Sequence, residues 1–262
     1  MARISALYRY PVKGYTPERC ESLTVLAEGR VAGDRVLGFR FANTGLPPTA
    51  WSKKHDYAVL KSTPGIARLD VRLDHKARRL SIRLNGETLA DESIDDEAGR
   101  RRLAAAVERY VLAQEESPLR EQPERQPLEL VGDGTTPRYT DSERGEITLH
   151  SRESLAVVAE ALGDPQLDEV RFRSNIAIEG VTPWAEQDWV GRTVTIGEIE
   201  FDVVRPKVRC LATHANPTTG ERDLMVMQTL VKSFGQVRPT FAIALLPRGG
   251  GGEIRVGDRV RF

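Results

Sequence analysis

The 262-residue chain holds two cysteines, and one of them stands among cations: Cys210 ends the run Arg205-Pro206-Lys207-Val208-Arg209-Cys210, directly after a strongly apolar segment. Nearby positive charge favours a thiolate, so Cys210 is a candidate nucleophile or soft-metal ligand. If the strand alternation of that segment continues, Arg205, Lys207 and Arg209 share one face while Val208 and Cys210 point to the other. The cations then form a solvated face, and a lone cysteine beside a strand is more often a buried structural residue. His214 follows four residues later and could make a Cys-x3-His pair. A closed zinc site needs further ligands, however, and only His55, His75 and His150 remain. A Cys–His dyad is chemically open too, but nothing in the sequence selects its partner.

A second set of candidates is cationic. Lys13 follows Pro11-Val12 at the end of an alternating run, and Arg35 follows Gly33-Asp34 at the start of another. Cations at strand-to-loop junctions can grip an anion without a glycine cradle, and the competing reading is ordinary surface charge. Arg173 and Asn175, in Arg171-Phe172-Arg173-Ser174-Asn175, alternate and would project from one strand face as a guanidinium beside an amide. Such a pair suits a phosphate or a planar heterocycle. Glu186 and Asp188, between Trp184 and Trp189, read as a turn with packed aromatics rather than an acid/base pair. No dinucleotide-binding glycine motif, phosphate loop or nucleophile elbow is present.

The elements that must position these groups are mostly strands. Ile4, Ala6, Tyr8 and Tyr10 alternate up to Pro11; Leu23 and Val25, Asp34 to Phe41 and Tyr57 to Leu60 make further short runs. Leu69, Val71, Leu73 and Leu80, Ile82, Leu84 form two alternating runs around Asp74-His75-Lys76-Ala77, a hairpin. Leu103, Val107, Tyr110 and Val111 fall at helical spacing within residues 98–113. Gln114 to Gly145 is polar and proline-rich, and reads as a long connection and domain boundary. Beyond it, Ser151 caps a helix closed by Gly163, and Val170 to Ile178 reads as a strand. Gly197-Glu198 joins Thr193–Ile196 to Ile199–Val204 in a type II′ hairpin. A helix through Leu224, Met227, Leu230, Val231 and Phe234 stops at Gly235, and Phe241–Leu246 and Ile254–Phe262 close the fold.

Composition excludes several classes. The 38 Lys+Arg and 38 Asp+Glu cancel, which leaves no electrostatic footprint for nucleic acid or for an anionic membrane. No apolar run reaches the roughly 18 residues of a membrane-spanning helix. The opening MARISALYRYPVKGY lacks the apolar core of a secretory signal. Two cysteines make neither a disulfide framework nor a four-cysteine cluster. The expectation is a cytoplasmic protein with reduced thiols and a small-molecule substrate.

Several blocks, taken in order, carry a resemblance. Pro11-Val12-Lys13, Gly33-Asp34-Arg35, Arg171 through Ile176, Gly191 through Gly197, Arg209-Cys210, Asn216-Pro217-Thr218-Thr219-Gly220 and Ile254 through Asp258 resemble the MOSC family, the molybdenum cofactor sulfurase C-terminal domain, preceded by its N-terminal β-barrel partner. The resemblance implies a mainly β fold of the α+β class. It implies an N-terminal barrel-like domain over residues 1–115, a MOSC β-barrel domain over 116–262, and a molybdopterin cofactor in the cleft between them. Similarity to the mitochondrial amidoxime-reducing component implies Cys210 as the molybdenum ligand and catalytic residue. It also implies Lys13 and Arg35 on the pterin phosphate, with Arg173 against the cofactor and Asn175 as a further contact. The implied activity is reduction of N-hydroxylated compounds, with a separate electron-transfer protein as donor. The alternative is a sulfur carrier that charges Cys210 as a persulfide from a cysteine desulfurase. Asn216 replaces the usual aspartate of its block, Gly14-Tyr15 follows the lysine in place of a Ser-Cys-like pair, and Trp51-Ser52-Lys53-Lys54-His55 replaces a Thr-Ala-Arg-like segment.

Overall fold

The structure is a computed structural model that describes residues 1–262. Alternating apolar side chains build its sheets as the pattern predicts. Leu69, Val71 and Leu73 register against Leu84, Ile82 and Leu80 in an antiparallel pair. Asp74 closes the hairpin by accepting from the amides of Lys76 and Ala77. Glu87–Ser93 adds a third strand. The helix Glu97–Leu112 starts at Asp96, whose carboxylate accepts from the amides of Ala98 and Gly99, satisfying donors that have no partner within the helix. It buries Leu103, Val107, Tyr110 and Val111, the stripe that the helical spacing identifies.

The largest sheet has eight strands, in the order Val260–Arg261, Thr193–Ile196, Ile199–Val208, Thr240–Pro247, Ile147–Ser151, Ile176–Glu179, Arg3–Arg9 and Glu18–Cys20. Only Ile147–Ser151 and Ile176–Glu179 run parallel, and the crossover between them carries the helix Arg152–Leu162. Ser151 caps that helix, Gly163 ends it at φ +69°, and Val226–Phe234 is the second helix on this side, ended by Gly235 at φ +63°. Gly197 has φ +59° while Glu198 does not enter positive φ, as a type II′ hairpin turn requires.

A mainly β, α+β architecture is what forms, but neither half closes into a barrel. One corner of the large sheet approaches closure: Arg3 bridges Arg259, and Ile4 and Ala2 exchange backbone hydrogen bonds with Gly257, Asp258 and Val260. A continuous ladder between those edges is missing. The segment Ile254–Phe262 is split by Gly257 at φ +93°; Gly252–Arg255 joins Ser22–Leu26, and Val260–Arg261 joins Thr193–Ile196. Tyr57–Leu60 contributes one bridge, Tyr57 to Arg40, and then turns. The polar stretch from 114 to 145 is not wholly a connection, because Leu128–Val131 pairs with Gly38–Phe41.

Two cores result. One gathers buried residues from Val12 to Leu130; the other joins Ala2–Val31 to Ile147–Val260. Strands from both sides of residue 115 share three of the four sheets. No helix is long and apolar enough to cross a membrane.

Candidate functional site

A cleft of about 260 Å³ opens between the two cores, and Lys13, Arg35, Arg173, Asn175 and Cys210 all line it. Residues scattered over nearly two hundred positions of sequence are thus neighbours. The first core brings Lys13, Arg35, Lys54 and Lys61. The second brings Asp141, Glu146, Arg171, Arg173, Arg205, Lys207, Arg209 and Cys210.

Lys13 is not a surface cation. It is 3% exposed, and its ammonium donates to the Tyr139 carbonyl at 2.7 Å and to Asp141 at 2.6 Å. Burial pushes the ammonium below the usual lysine range against the pull of Asp141. The Asp141 side chain stays exposed on its outer side, and the Lys13 charge holds its carboxyl well below the ordinary value.

Arg35 and Arg173 converge on one ring. Their guanidinium carbons lie 4.8 and 4.2 Å from the Tyr10 ring centroid, a cation–π arrangement that keeps two like charges close. Both residues sit at φ +50°, a left-handed backbone that costs a non-glycine residue about 1–3 kcal/mol and recurs at ligand clamps. Arg35 pairs with Asp34 and donates to the Arg173 carbonyl at 3.2 Å. Arg173 donates to the Tyr15 carbonyl at 2.8 Å. Its Nη2 has no partner though buried, and burial brings its pKa down to about 10, so it stays charged at neutral pH.

The left-handed turn at Arg173 overturns the expected strand over 170–178. Glu169–Phe172 is a short 3-10 turn started by the Asp168 side chain, and the strand begins only at Ile176. Arg173 and Asn175 therefore do not alternate from one strand face. Asn175 is 1% exposed; its amide oxygen accepts from Thr148 and its Nδ2 donates to the Tyr8 carbonyl. That side chain ties three segments behind the cleft wall, and its hydrogen-bonding capacity is largely spent there.

The Cys210 segment differs from strict alternation as well. The register of Ile199–Val208 against Thr240–Pro247 shifts between Val203 and Arg205 and again between Pro206 and Val208. Each bulge resets which side chains share a face, and Arg205, Lys207, Val208, Arg209 and Cys210 all reach the cleft. Glu146, at φ +98°, anchors two of them: its carboxylate lies 2.6 Å from Arg205 and 3.0 Å from Lys207. Desolvation opposes ionisation of Glu146, and these hydrogen bonds outweigh it, holding its pKa low. Arg209 donates to the carbonyls of Phe241 and Phe172 at 2.8 and 3.0 Å. Its Nη2 is buried without a partner, and burial brings it down to about 10 despite the field of the neighbouring Cys210 sulfur. The Cys210 thiol is free and partly exposed. Its carbonyl accepts from Thr213, starting the short turn Leu211–His214.

His214 is buried away from this arrangement, its Nε2 accepting from the Met227 amide at 3.2 Å. No group of three or more His, Cys, Asp or Glu side chains is placed to hold a metal ion. Charge dominates instead: nine Lys and Arg residues line the cleft against Asp141 and Glu146. Five of the nine have carboxylate partners, whereas Lys54, Lys61, Arg173 and Arg209 have none. Arg173 and Arg209 each keep a buried N–H without a partner, which is costly unless a ligand satisfies it. A thiol and open guanidinium N–H groups in one basic cleft fit a phosphorylated, metal-bearing anionic cofactor.

Sequence reasoning missed Tyr10 as the platform of two arginines, and it missed Asp141, Glu146 and Lys61. Lys54 was legible only as part of the segment that departs from the family pattern. Arg171 lay within a quoted block, and the structure sets it against Asp223 at 2.8 Å, with Asn216 donating to the same acid at 2.7 Å.

Residues 136–261 match the family model described as the MOSC domain. The chain is 33% identical over 102 residues to a molybdenum cofactor sulfurase of Anopheles gambiae and 32% identical over 94 residues to one of Caenorhabditis briggsae. Each match covers 35% of this chain and 13% of the relative's length. Among solved structures, the YUAD protein from Bacillus subtilis aligns over 99% of this chain and 93% of its own, at 10% identity and a TM-score of 0.44, too loose a likeness to carry an argument. The family match covers the segments that carry Arg173, Arg209 and Cys210, and on it this chain carries a MOSC domain over residues 136–261.

Proposed function

We propose that the cleft binds a molybdenum–pterin cofactor and that the protein is a molybdenum-dependent reductase of N-hydroxylated small molecules. One observation carries this reading: Cys210 shares a cleft with four cations that lack acidic partners, two of them with buried N–H groups left open. The molybdenum cofactor sulfurase relatives support a cofactor of that kind.

Cys210 supplies a soft thiolate donor to the metal. Lys13, Arg35 and Arg173 grip the dinegative phosphate by charge-assisted hydrogen bonds, and the Tyr10 ring keeps the two arginines in place. Arg209 balances charge beside the sulfur, and Asn175 fixes the wall from behind. When bound, the group supplies the two-electron couple that removes an oxygen atom, while the protein positions it. In balance, the N-hydroxy compound takes up two electrons and two protons and gives the reduced nitrogen compound and water. The electrons come from a separate electron-transfer protein in the cytoplasm.

Purified from a host that makes the cofactor, the protein is expected to carry molybdenum near one atom per chain and to reduce an amidoxime with a chemical donor. Cys210→Ser is expected to lose the reduction. Absence of both molybdenum and reduction overturns the reading.

A second reading, sulfur transfer through a Cys210 persulfide, is favoured by the partly exposed thiol and by the sulfurase relatives. There the Cys210 thiolate attacks the outer sulfur of a cysteine desulfurase persulfide: the S–S bond on the desulfurase breaks, one forms on Cys210, and the desulfurase cysteine leaves as a thiolate. Mass spectrometry separates the two: a gain of one sulfur that Cys210→Ser abolishes, in a protein without molybdenum, decides for the carrier.

A further inference from the structure

Of the four cleft cations without an acidic partner, Arg173 joins the phosphate grip and Arg209 stands beside the sulfur, which leaves Lys54 and Lys61 uncommitted. Lys61 comes from the first core and is brought to the Cys210 end of the cleft by a clasp. Arg222 donates through Nη2 to the Lys61 carbonyl and through Nη1 to the carbonyl of Leu211, each at 2.8 Å, and Leu211 directly follows Cys210. Glu116 holds the same guanidinium at 2.7 Å. The backbone of Lys61 is therefore pinned one guanidinium's width from the thiol-bearing segment. Lys61 is exposed, is among the residues that line the cleft, and has no acidic partner.

Charge balance points the same way. Nine cleft cations less the four carboxylates that pair with them, Asp34, Asp141, Glu146 and Asp223, leave five positive charges. A phosphate dianion and a thiolate take up three of these. Two remain, in a protein whose total formal charge is zero. A cleft that retains positive charge after its cofactor is seated draws anions to its mouth.

Building on the reductase reading, we infer that the substrate is an N-hydroxy compound that also carries an anionic group, a carboxylate or a phosphate, and that Lys61 is the residue that reads it. Lys61 contacts the distal anion and not the reacting nitrogen, so it sets specificity and takes no part in the redox step.

The test pairs a neutral aryl amidoxime with its para-carboxylate derivative, using full-length protein purified with its cofactor. Calorimetric binding and kcat/KM are both expected to favour the carboxylate. Because the contact is solvent-exposed, Lys61→Ala should reduce that preference about threefold to fivefold, and Lys61→Glu should abolish or reverse it. Raising ionic strength should erase the preference in the parent, which a merely structural role for Lys61 would not produce. Equal binding of the two compounds by the parent, or a preference unmoved in Lys61→Glu, overturns the inference while leaving the reductase reading intact. A carboxylate preference in binding that depends on Lys61, without molybdenum or turnover, upholds the anion-reading role and defeats the reductase reading instead.

Discussion

At the scale of single residues, the cleft is built from cations that the fold has half provided for. Arg173 is held by one carbonyl and one aromatic face, with an N–H left open. On the proposed cofactor reading, Arg173→Ala should weaken retention of the cofactor roughly tenfold or more, since hydrogen bonds to charged groups contribute about 1.5–3 kcal/mol. Molybdenum and pterin content after gel filtration measures this, and Arg173→Lys should recover only part, because an ammonium lacks the planar fork that stacks on Tyr10. Glu169 works behind the site, at the start of the turn that presents Arg171 and Arg173. Although desolvation opposes its ionisation, hydrogen bonds from His150, Arg152 and Tyr8 hold its pKa well below the usual carboxylate range. A depressed folded-state pKa contributes stability that is present above the unfolded value, about 4.3, and is lost as pH falls below it. Glu169→Gln should therefore destabilise the protein by roughly 2 kcal/mol at pH 7, the scale of hydrogen bonds to a charged group, with the gap closing as pH drops under about 4. Denaturant titrations across that range check it; a gap independent of pH excludes the ionised carboxylate as the cause.

At the scale of elements, bulges and turns do what regular strands cannot. The strand Ile199–Val208 stops before Arg209 and Cys210, so strict alternation no longer binds them: two register shifts irregularise the strand, Cys210 leads into the turn Leu211–His214, and both residues line the cleft. Across the cleft, the loop 216–220 lies against residues 64–65 through Gly220, at φ +73°, where an added Cβ would meet the Pro64 carbonyl oxygen at 2.6 Å and the Gly65 Cα at 2.7 Å. Gly220→Ala must strain the turn and push the two walls apart. An expected loss of about 1–3 kcal/mol follows from the left-handed backbone alone, and thermal unfolding reads it. On the proposed reductase reading, weaker binding of an N-hydroxy substrate should accompany it, because the same loop precedes the Arg222 clasp.

For the whole molecule, the interleaving of strands decides how it folds. Ile4 and Leu7, from the first strand, lie in the core formed mainly by residues 147–260, and Arg3–Arg9 pairs with Ile176–Glu179. A fragment of residues 116–262 should consequently be insoluble or molten by near-ultraviolet circular dichroism, whereas one that adds back residues 1–31 recovers folded structure for this half. A well-folded 116–262 fragment would show the first strands to be dispensable. The cleft sits where the two cores meet, so its basic charge is gathered by assembly: the run Arg205–Arg209 supplies three of its nine cations and segments remote in sequence supply the rest.

Local pattern determined much of this protein: the alternating runs, the Asp96 and Ser151 caps, the Gly197 turn and the MOSC blocks are all readable in the sequence because each depends on neighbours a few residues away. The five candidate residues were likewise legible, as members of ordered blocks. Tertiary structure alone decided that the barrels stay open, that residues 169–173 turn instead of extending, and that Lys13 is buried. It alone placed Lys61 beside the thiol segment and gave Arg35 and Arg173 a common ring. These outcomes depend on contacts between residues more than a hundred positions apart, and on non-glycine residues held at positive φ by those contacts, which no local period encodes.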